Sequence, residues 1–186
     1  GNDDYGVVIY GSGTGYNTVE KNYIGVKSDL QTSLDNGLYQ IRMYSGTHHN
    51  QIGTANSGNV IGTASQAIIV VDDSPNNSIQ GNYIGTDATQ TADLGINDVA
   101  VVIDGSPSNN NRVGGTGTGE GNVIANSLFG ISTFNGGYGN SFLSNTFPNI
   151  EEMAIDLKSD GVTNNDNLDP DPSSGAPNNY LQNFPE

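Results

Sequence analysis

Three carboxylates follow β-rich runs of the sequence, and they are the first candidates for chemistry. Asp72 and Asp73 come directly after the run 67–71, and Asp104 follows the run that ends at Ile103. If the two runs are neighbouring strands, these acids lie close together. Paired carboxylates act as the acid and base of a hydrolase, hold Ca²⁺, or are solvated turn residues. The sequence leaves all three alternatives open and favours the solvated turn.

Basic side chains are the other candidates for catalysis, because a base must lie within reach of the proton that it removes. Arg42 is predicted to project outward from a strand, and it is the best single candidate. His48 and His49 occupy a predicted turn with no carboxylate adjacent in sequence. Catalytic groups with perturbed pKa values usually occur in clusters, and none is visible here. The sequence therefore favours a protein without catalytic activity.

Aromatic rings provide stacking surfaces for sugars, and the chain has nine tyrosines. Tyr23 and Tyr83 occupy equivalent positions in a repeated pattern and are predicted to point outward. Together with Arg42 they form the predicted glycan-binding set. Ordinary surface tyrosines on strands are the alternative interpretation.

The acidic C-terminal segment is the candidate metal site. Ca²⁺ takes six to eight oxygen ligands, and aspartates recur here at short spacing. The predicted ligands for Ca²⁺, the one cofactor expected, are Asp156, Asp160, Asp166, Asp169 and Asp171. The spacing does not match an EF-hand loop, and a solvated linker remains the favoured alternative.

The composition excludes several classes of partner. The formal net charge is −15, with only five Lys and Arg in 186 residues. Nucleic-acid binding needs clustered cations, so we expect no nucleic-acid partner. No apolar run has membrane-spanning length, so we expect no membrane insertion. The chain has no cysteine and therefore gives no information about redox compartment.

These candidate residues must be positioned by a repeat. The stretch 77–85 has the pattern N-x-I-x-x-N-x-I-G. Near-copies occur at 17–25, with Val for the first Ile, and at 140–147, with Phe for both Ile and without the final Gly. Two further copies, starting at Asn50 and Asn111, are split by a loop. Short strands separated by turns at a period near twenty predict an all-β fold, a parallel β-helix of about five to six coils.

Stacked coils align equivalent residues in rows. For each of the three strands in a coil, we expect the inward apolar side chains of successive coils to form one row along the axis. We also expect a row of corner asparagines that hydrogen-bond from coil to coil. One predicted inward row is Val19, Ile52, Ile79, Val113 and Phe142, and a second is Ile24, Ile61, Ile84, Ile124 and Phe147. The predicted third inward row is Val8, Ile41, Ile68, Val101, Ile131 and Ile155. The predicted asparagine row is Asn22, Asn59, Asn82, Asn122 and Asn145.

The strand that starts each coil is apolar on both faces, so we expect its outer face to be covered. The side chains predicted to lie outside, as an assembly patch, are Val7, Ile9, Ile69, Val71 and Val102. The cover is either another chain or, as we favour, the insertions 26–36 and 86–98 or the tail. We place the β-helix at 1–158 and an irregular acidic tail at 159–186.

Several motifs resemble a known family. The segments 82–87, 113–116 and 121–124 (NYIGTD, VGGT and GNVI) resemble bacterial right-handed parallel β-helix repeats of the pectate-lyase-like superfamily. The tail segments 154–166 and 177–185 resemble the sequence that follows the last coil in large secreted proteins of this kind. The resemblance implies a right-handed helix in a secreted or cell-surface protein, often as one module of a longer chain.

The resemblance does not fix a function, since the superfamily includes lyases, hydrolases, epimerases, adhesins and structural modules. We expect a non-catalytic module with a structural, adhesive or assembly-forming role, and with weak binding of glycan or calcium as an option. Its expected partners are further copies of itself, neighbouring modules of a longer chain, or a polysaccharide. A polysaccharide-active enzyme fragment is the alternative.

Overall fold

A computed structural model describes residues 1–62, 64–135 and 137–157. In these ranges the chain forms fifteen strands and no helix. The predicted tail at 159–186 lies outside the described residues, as do four of the predicted calcium ligands, Asp160, Asp166, Asp169 and Asp171.

The strands form three sheets in which every neighbouring pair is parallel. The first sheet consists of β1 (Tyr5–Tyr10), β4 (Tyr39–Tyr44), β7 (Gln66–Val70), β10 (Ile96–Ile103), β13 (Ser127–Thr133) and β15 (Ile150–Asp156). The second consists of β2 (Thr18–Val19), β5 (Gln51–Ile52), β8 (Ser78–Ile79), β11 (Arg112–Gly114) and β14 (Ser141–Leu143). The third consists of β3 (Tyr23–Ile24), β6 (Val60–Ile61), β9 (Tyr83–Ile84) and β12 (Val123–Ile124).

Each of the first four coils contributes one strand to each sheet, and the fifth contributes β13 and β14, so the fold is a parallel β-solenoid of about five turns. β15 begins a sixth layer in the first sheet alone. The glycine that ends the repeated pattern has a steric role. Gly85 has a φ of +73°, and a Cβ at this position would lie 1.9 Å from the carbonyl oxygen of Ala125 in the next coil. Only glycine fits a left-handed corner packed this closely.

The core is a single column of branched aliphatic side chains between the three sheets. One inward row joins Ile52 to Ile79, and another joins Ile61 to Ile84, through the register of the second and third sheets. All four side chains are buried. Burying each such side chain stabilises the fold by about 1.5–3 kcal/mol, so a thin column suffices for a chain of low apolar content.

Two ladders of asparagine run along the corners of the solenoid. In the ladder that the sequence predicts, the backbone N–H and the side-chain Nδ2 of each Asn both donate to Oδ1 of the next Asn. A second ladder, which the sequence analysis does not identify, joins Asn17, Asn50, Asn77, Asn111 and Asn140. Each ladder therefore ties every coil to the next.

In β1, the side chains that a constant repeat length predicts to point inward point outward instead. Val7, not Val8, pairs with Ile41 in the inward row, and Val8 is exposed on the outer face. The segment from Val7 to Val19 is one residue longer than the equivalent segment from Ile68 to Ile79. Because side chains alternate along a strand, a shift of one residue exchanges the two faces.

The predicted assembly patch is therefore wrong at two positions. Val7 packs against the core column, and Ile9 belongs to it. Ile69, Val71 and Val102 do face outward, but they are buried in a second apolar cluster and do not form an open surface. Their neighbours in this cluster are Val99, Tyr39, Tyr44, Phe129 and Phe134.

The insertion after β9 is held by one carboxylate. Asp87 is buried and accepts hydrogen bonds from the hydroxyl of Thr89 and from the backbone N–H groups of Thr91 and Ala92, the latter two at 2.8 and 2.9 Å. The Ala92 N–H contributes most, and these bonds hold the pKa of Asp87 well below its usual range.

The insertion after β3 uses an equivalent acid. The Thr32 hydroxyl and the backbone N–H groups of Gln31 and Thr32 lower the pKa of Asp29. Because Asp87 is buried and Asp29 is exposed, we expect the larger structural contribution from Asp87.

We predict that Asn82→Ala lowers the free energy of unfolding by about 2–4 kcal/mol, because it leaves the buried N–H and Nδ2 donors of Asn59 and the carbonyl oxygen of Ile52 without the side chain that pairs with them. The matched control is Asn22→Ala at the exposed end of the same ladder, for which we expect a loss below about 1 kcal/mol. Urea denaturation followed by circular dichroism measures both, and equal losses would contradict a cooperative ladder.

We predict that Asp87→Asn destabilises the chain in a pH-dependent manner. The folded-state pKa of Asp87 lies below the unfolded value of about 3.9, so its stabilisation is complete well above that pH and is lost as pH falls. The difference in unfolding free energy between wild type and variant should be constant above about pH 5 and shrink below about pH 4. Asp3→Asn, at an exposed acid, is the control. A difference in unfolding free energy between wild type and Asp87→Asn that grows as the pH falls would contradict the lowered pKa of Asp87.

Candidate functional site

The outer face of the first sheet carries an aromatic surface at its N-terminal end. The outward side chains of β1 and β4 pair across the two strands, with Tyr5 opposite Tyr39, and Tyr10 opposite Tyr44. We define the tyrosine patch as Tyr5, Val8, Tyr10, Tyr39, Arg42 and Tyr44. The rings of Tyr5 and Tyr39 are stacked with centroids 5.7 Å apart, and those of Tyr10 and Tyr44 are tilted at 4.8 Å.

Arg42 lies in the middle of this patch. Its guanidinium carbon is 4.1 Å from the ring centroid of Tyr44, 5.5 Å from that of Tyr5 and 5.6 Å from that of Tyr39. Its Nη1 donates a hydrogen bond of 2.9 Å to the hydroxyl of Tyr5. Guanidinium is weakly hydrated and favours aromatic faces, so three rings hold it in a fixed orientation.

Among the described residues, no carboxylate forms an ion pair with this cation. Within the described ranges the single ion pair joins Arg112 to Glu120 at 3.8 Å, on another sheet. The Arg42 Nε is buried and has no hydrogen-bond partner in the part of the chain that the structure describes. In a chain with 20 acidic and only five Lys and Arg residues, the tyrosine patch is therefore a positive site that no described carboxylate compensates.

The outer face of the first sheet is open to solvent only at its first two coils, where the tyrosine patch lies. Along the middle outward row, Val8 is 45% exposed, whereas Ile69 and Val102 are 8% and 2% exposed. Tyr10, at the edge of the patch, is 59% exposed. A ligand that reaches Arg42 would therefore approach from the side of β1 and lie across Tyr10.

The other members of the predicted glycan set lie elsewhere. Tyr23 and Tyr83 belong to the third sheet, with Val60 between them, and Arg42 belongs to the first. The ring of Tyr23 is exposed, but Tyr83 packs against the apolar cluster formed by Val60 and the insertion after β9. The three predicted residues therefore do not form one site.

Of the five predicted metal ligands, the structure describes only Asp156. Asp156 is the last residue of β15 and is buried, in register with Ser132 of β13. The remaining four acids of that set lie in the undescribed tail. In the part of the chain that the structure describes, no group of three or more acids or histidines is arranged to hold a metal ion.

The acids and histidines considered for catalysis occupy turns. Asp104 accepts hydrogen bonds from the N–H of Gly105 and from Nδ2 of Asn135, and Asp72 is exposed at the neighbouring strand end. His48 and His49 contact each other through their Nδ1 atoms at 3.1 Å. None of these groups is hydrogen-bonded to Arg42, whose described polar partner is Tyr5.

The four tyrosines of the patch are the functional candidates that the sequence analysis misses. Residues 5–10 read Y-G-V-V-I-Y and residues 39–44 read Y-Q-I-R-M-Y. Tyrosine thus occupies both ends of two adjacent strands, with Arg42 in line with Val8. This spacing is visible in the sequence, but its importance depends on knowing that the two strands pair.

Comparison with known proteins does not assign the chain to a family. No protein-family model matches it, and no curated protein or solved structure is significantly similar to it. The described residues contain no helix that is long and apolar enough to cross a membrane. Inference about function therefore depends on the geometry of the solenoid itself.

Proposed function

We propose that this chain is a non-catalytic adhesion module, exposed at a cell surface or secreted, that binds an acidic polysaccharide through the tyrosine patch. The observation that carries the proposal is the guanidinium of Arg42, held among three tyrosine rings without a carboxylate partner in the described ranges. The location and the link to the pectate-lyase-like superfamily are parts of the same proposal, and the parallel β-solenoid supports them.

The chemistry of the patch suits a sugar that carries an anion. A carboxylate or sulfate group pairs with guanidinium through charge-assisted hydrogen bonds, which are stronger than neutral ones. The exposed ring of Tyr10 provides an apolar face for the body of the sugar. Arg42 is already oriented by its neighbours, so binding costs little side-chain entropy.

The acidic surface of the chain contributes selectivity. With a net charge of −15, the molecule repels polyanions everywhere except near an exposed cation. We therefore expect a moderate affinity for acidic polysaccharide that depends on Arg42. This affinity should be lower at low salt, because the repulsion between the acidic chain and the polyanion is then less screened. This behaviour is the reverse of that of a basic polyanion-binding protein.

Binding is favoured over turnover because the patch contains a cation and phenols, and none of the described carboxylates or imidazoles is hydrogen-bonded to Arg42. Proton abstraction by a guanidinium is difficult, since arginine stays protonated at any ordinary pH. A polysaccharide-active enzyme remains the competing proposal, and the binding experiment includes its test.

We predict that the chain binds polygalacturonate in isothermal titration calorimetry, and that Arg42→Ala weakens binding about tenfold or more. Tyr10→Ala should weaken it several-fold through loss of the stacking face. Arg112→Ala is the matched control, because it removes the other arginine from a different sheet and should leave affinity unchanged. The carboxyl-reduced polymer should not bind.

Two results would count against this function. Equal losses for Arg42→Ala and Arg112→Ala would show that charge alone matters and not the patch. Accumulation of an unsaturated product, followed by ultraviolet absorbance with and without Ca²⁺ and abolished by Arg42→Ala, would establish the enzyme instead.

A further inference from the structure

The turn between β4 and β5 in the second coil carries both histidines of the chain, next to each other. Their Nδ1 atoms lie 3.1 Å apart, whereas the ring centroids are 5.2 Å apart and the ring planes meet at 85°. The Nδ1 edges of His48 and His49 therefore face each other. Among the described residues, neither Nδ1 has another polar partner.

The preceding coil holds the two imidazoles in place. Gly15 forms a parallel bridge with His48, and a Cβ at Gly15 would lie 2.6 Å from Cε1 and 2.7 Å from Nδ1 of that ring. The ring of Tyr16 stacks on His49 with centroids 5.0 Å apart, and it meets His48 edge-on at 5.8 Å. A residue without a side chain thus makes room for one imidazole, and an aromatic face supports the other.

The backbone presents the pair to solvent. In each of the first four coils, the residue before the ladder asparagine is exposed and has a φ between +55° and +61°. These corner residues are Tyr16, His49, Asn76 and Asn110. Only the second coil places an imidazole both at this corner and at the position before it. The pair is therefore a departure from the repeat, and the scaffold does not require it.

The separation of the two Nδ1 atoms fits two ligands of one metal ion. Nitrogens bound to an ion at about 2.0–2.1 Å, with an angle of about 90–109° between the bonds, lie about 2.8–3.4 Å apart. The observed 3.1 Å falls within this range. The same distance also fits a hydrogen bond in which one ring carries the Nδ1 proton, and a metal ion would replace that proton.

The charge and ligand type indicate which ion the pair would take. Imidazole nitrogen suits Cu²⁺, Zn²⁺ and Ni²⁺, and Cu²⁺ binds a given nitrogen site most tightly of these ions. The chain has a net charge of −15, which attracts cations. Asp72 and Asp73 are exposed in the corresponding turn of the next coil, where the Asp72 carbonyl accepts a hydrogen bond from Gly46.

We propose that His48 and His49 form a chelating site for a divalent transition-metal ion, with Cu²⁺ bound most tightly. Each ring provides its Nδ1 atom as a ligand. Such ions take about four or more ligands, so the other positions are open to water or to a donor group of another molecule. This site is separate from the tyrosine patch and from the aspartates predicted to bind Ca²⁺.

Calorimetric titration with Cu²⁺ tests the site, on chain produced without a histidine tag and at about pH 8, because metal ions bind neutral imidazole. We expect one ion per chain, and an affinity at least about tenfold lower in His48→Asn and in His49→Asn, because each variant loses one arm of the chelate. The double variant carries Asn-Asn, the residues found at 109–110 of the same turn, and should keep the urea midpoint of wild type.

The asparagine variants leave the formal net charge of −15 unchanged, so a loss of affinity cannot reflect weaker attraction of cations. The matched control is Asp72→Asn with Asp73→Asn, which removes two nearby charges and keeps both imidazoles. It should change Cu²⁺ affinity by less than roughly threefold, since exposed charges are screened by salt. Binding that is lost in this control and kept in the histidine variants would overturn the proposal.

Nitrogen NMR with Zn²⁺ shows which atoms bind, because the chain has no other imidazole. The Nδ1 signals of both rings should shift together as Zn²⁺ is added, with smaller shifts of the Nε2 signals. Mg²⁺ at the same concentration should shift neither, since it prefers oxygen ligands. A shift of one ring alone, or Cu²⁺ binding that is equal in wild type and double variant, would overturn the chelate. None of these outcomes depends on the tyrosine patch.

Discussion

Every coil of this solenoid depends on its neighbour for the hydrogen bonds at its two corners. A sharp corner leaves backbone N–H groups that no strand can satisfy, and here the side chain of an asparagine in the next coil accepts them. An unpaired buried polar group costs about 1–3 kcal/mol, comparable with the burial of an entire aliphatic side chain. The corner asparagines thus fix the register along the axis, and the aliphatic column follows from that register.

This dependence explains which parts of the fold are readable from the sequence. The pattern N-x-I-x-x-N-x-I-G contains the corner and the core residue together, so the sequence predicts the parallel solenoid, and the rows through Ile79 and Ile84 are as expected. The facing of the first strand was not predictable from a constant repeat, because one extra residue in the turn before Val19 lies outside the pattern. The alignment of residues between coils in one sheet therefore does not predict the alignment in the next sheet when the turn between the two sheets varies in length.

The candidate site shows the same limit more strongly. Arg42 is identifiable as an outward cation, but its significance comes from Tyr5, Tyr39 and Tyr44, which are brought around it by pairing between coils. Tyr23 and Tyr83 occupy equivalent positions in the repeat, and both lie on the third sheet, where Tyr83 packs against an insertion. In a solenoid, repeated positions maintain the scaffold, and distinctive chemistry arises where adjacent coils differ.

The most direct test of the account is the nitrogen NMR signal of the arginine side chains, of which the chain has two. Titration with a short oligogalacturonate should shift the Nε–H of Arg42 and leave that of Arg112 in place, because only Arg42 lies in an open aromatic patch without a carboxylate among the described residues. Equal shifts of both signals, or none at saturating ligand, would contradict the assignment of the tyrosine patch as the binding surface.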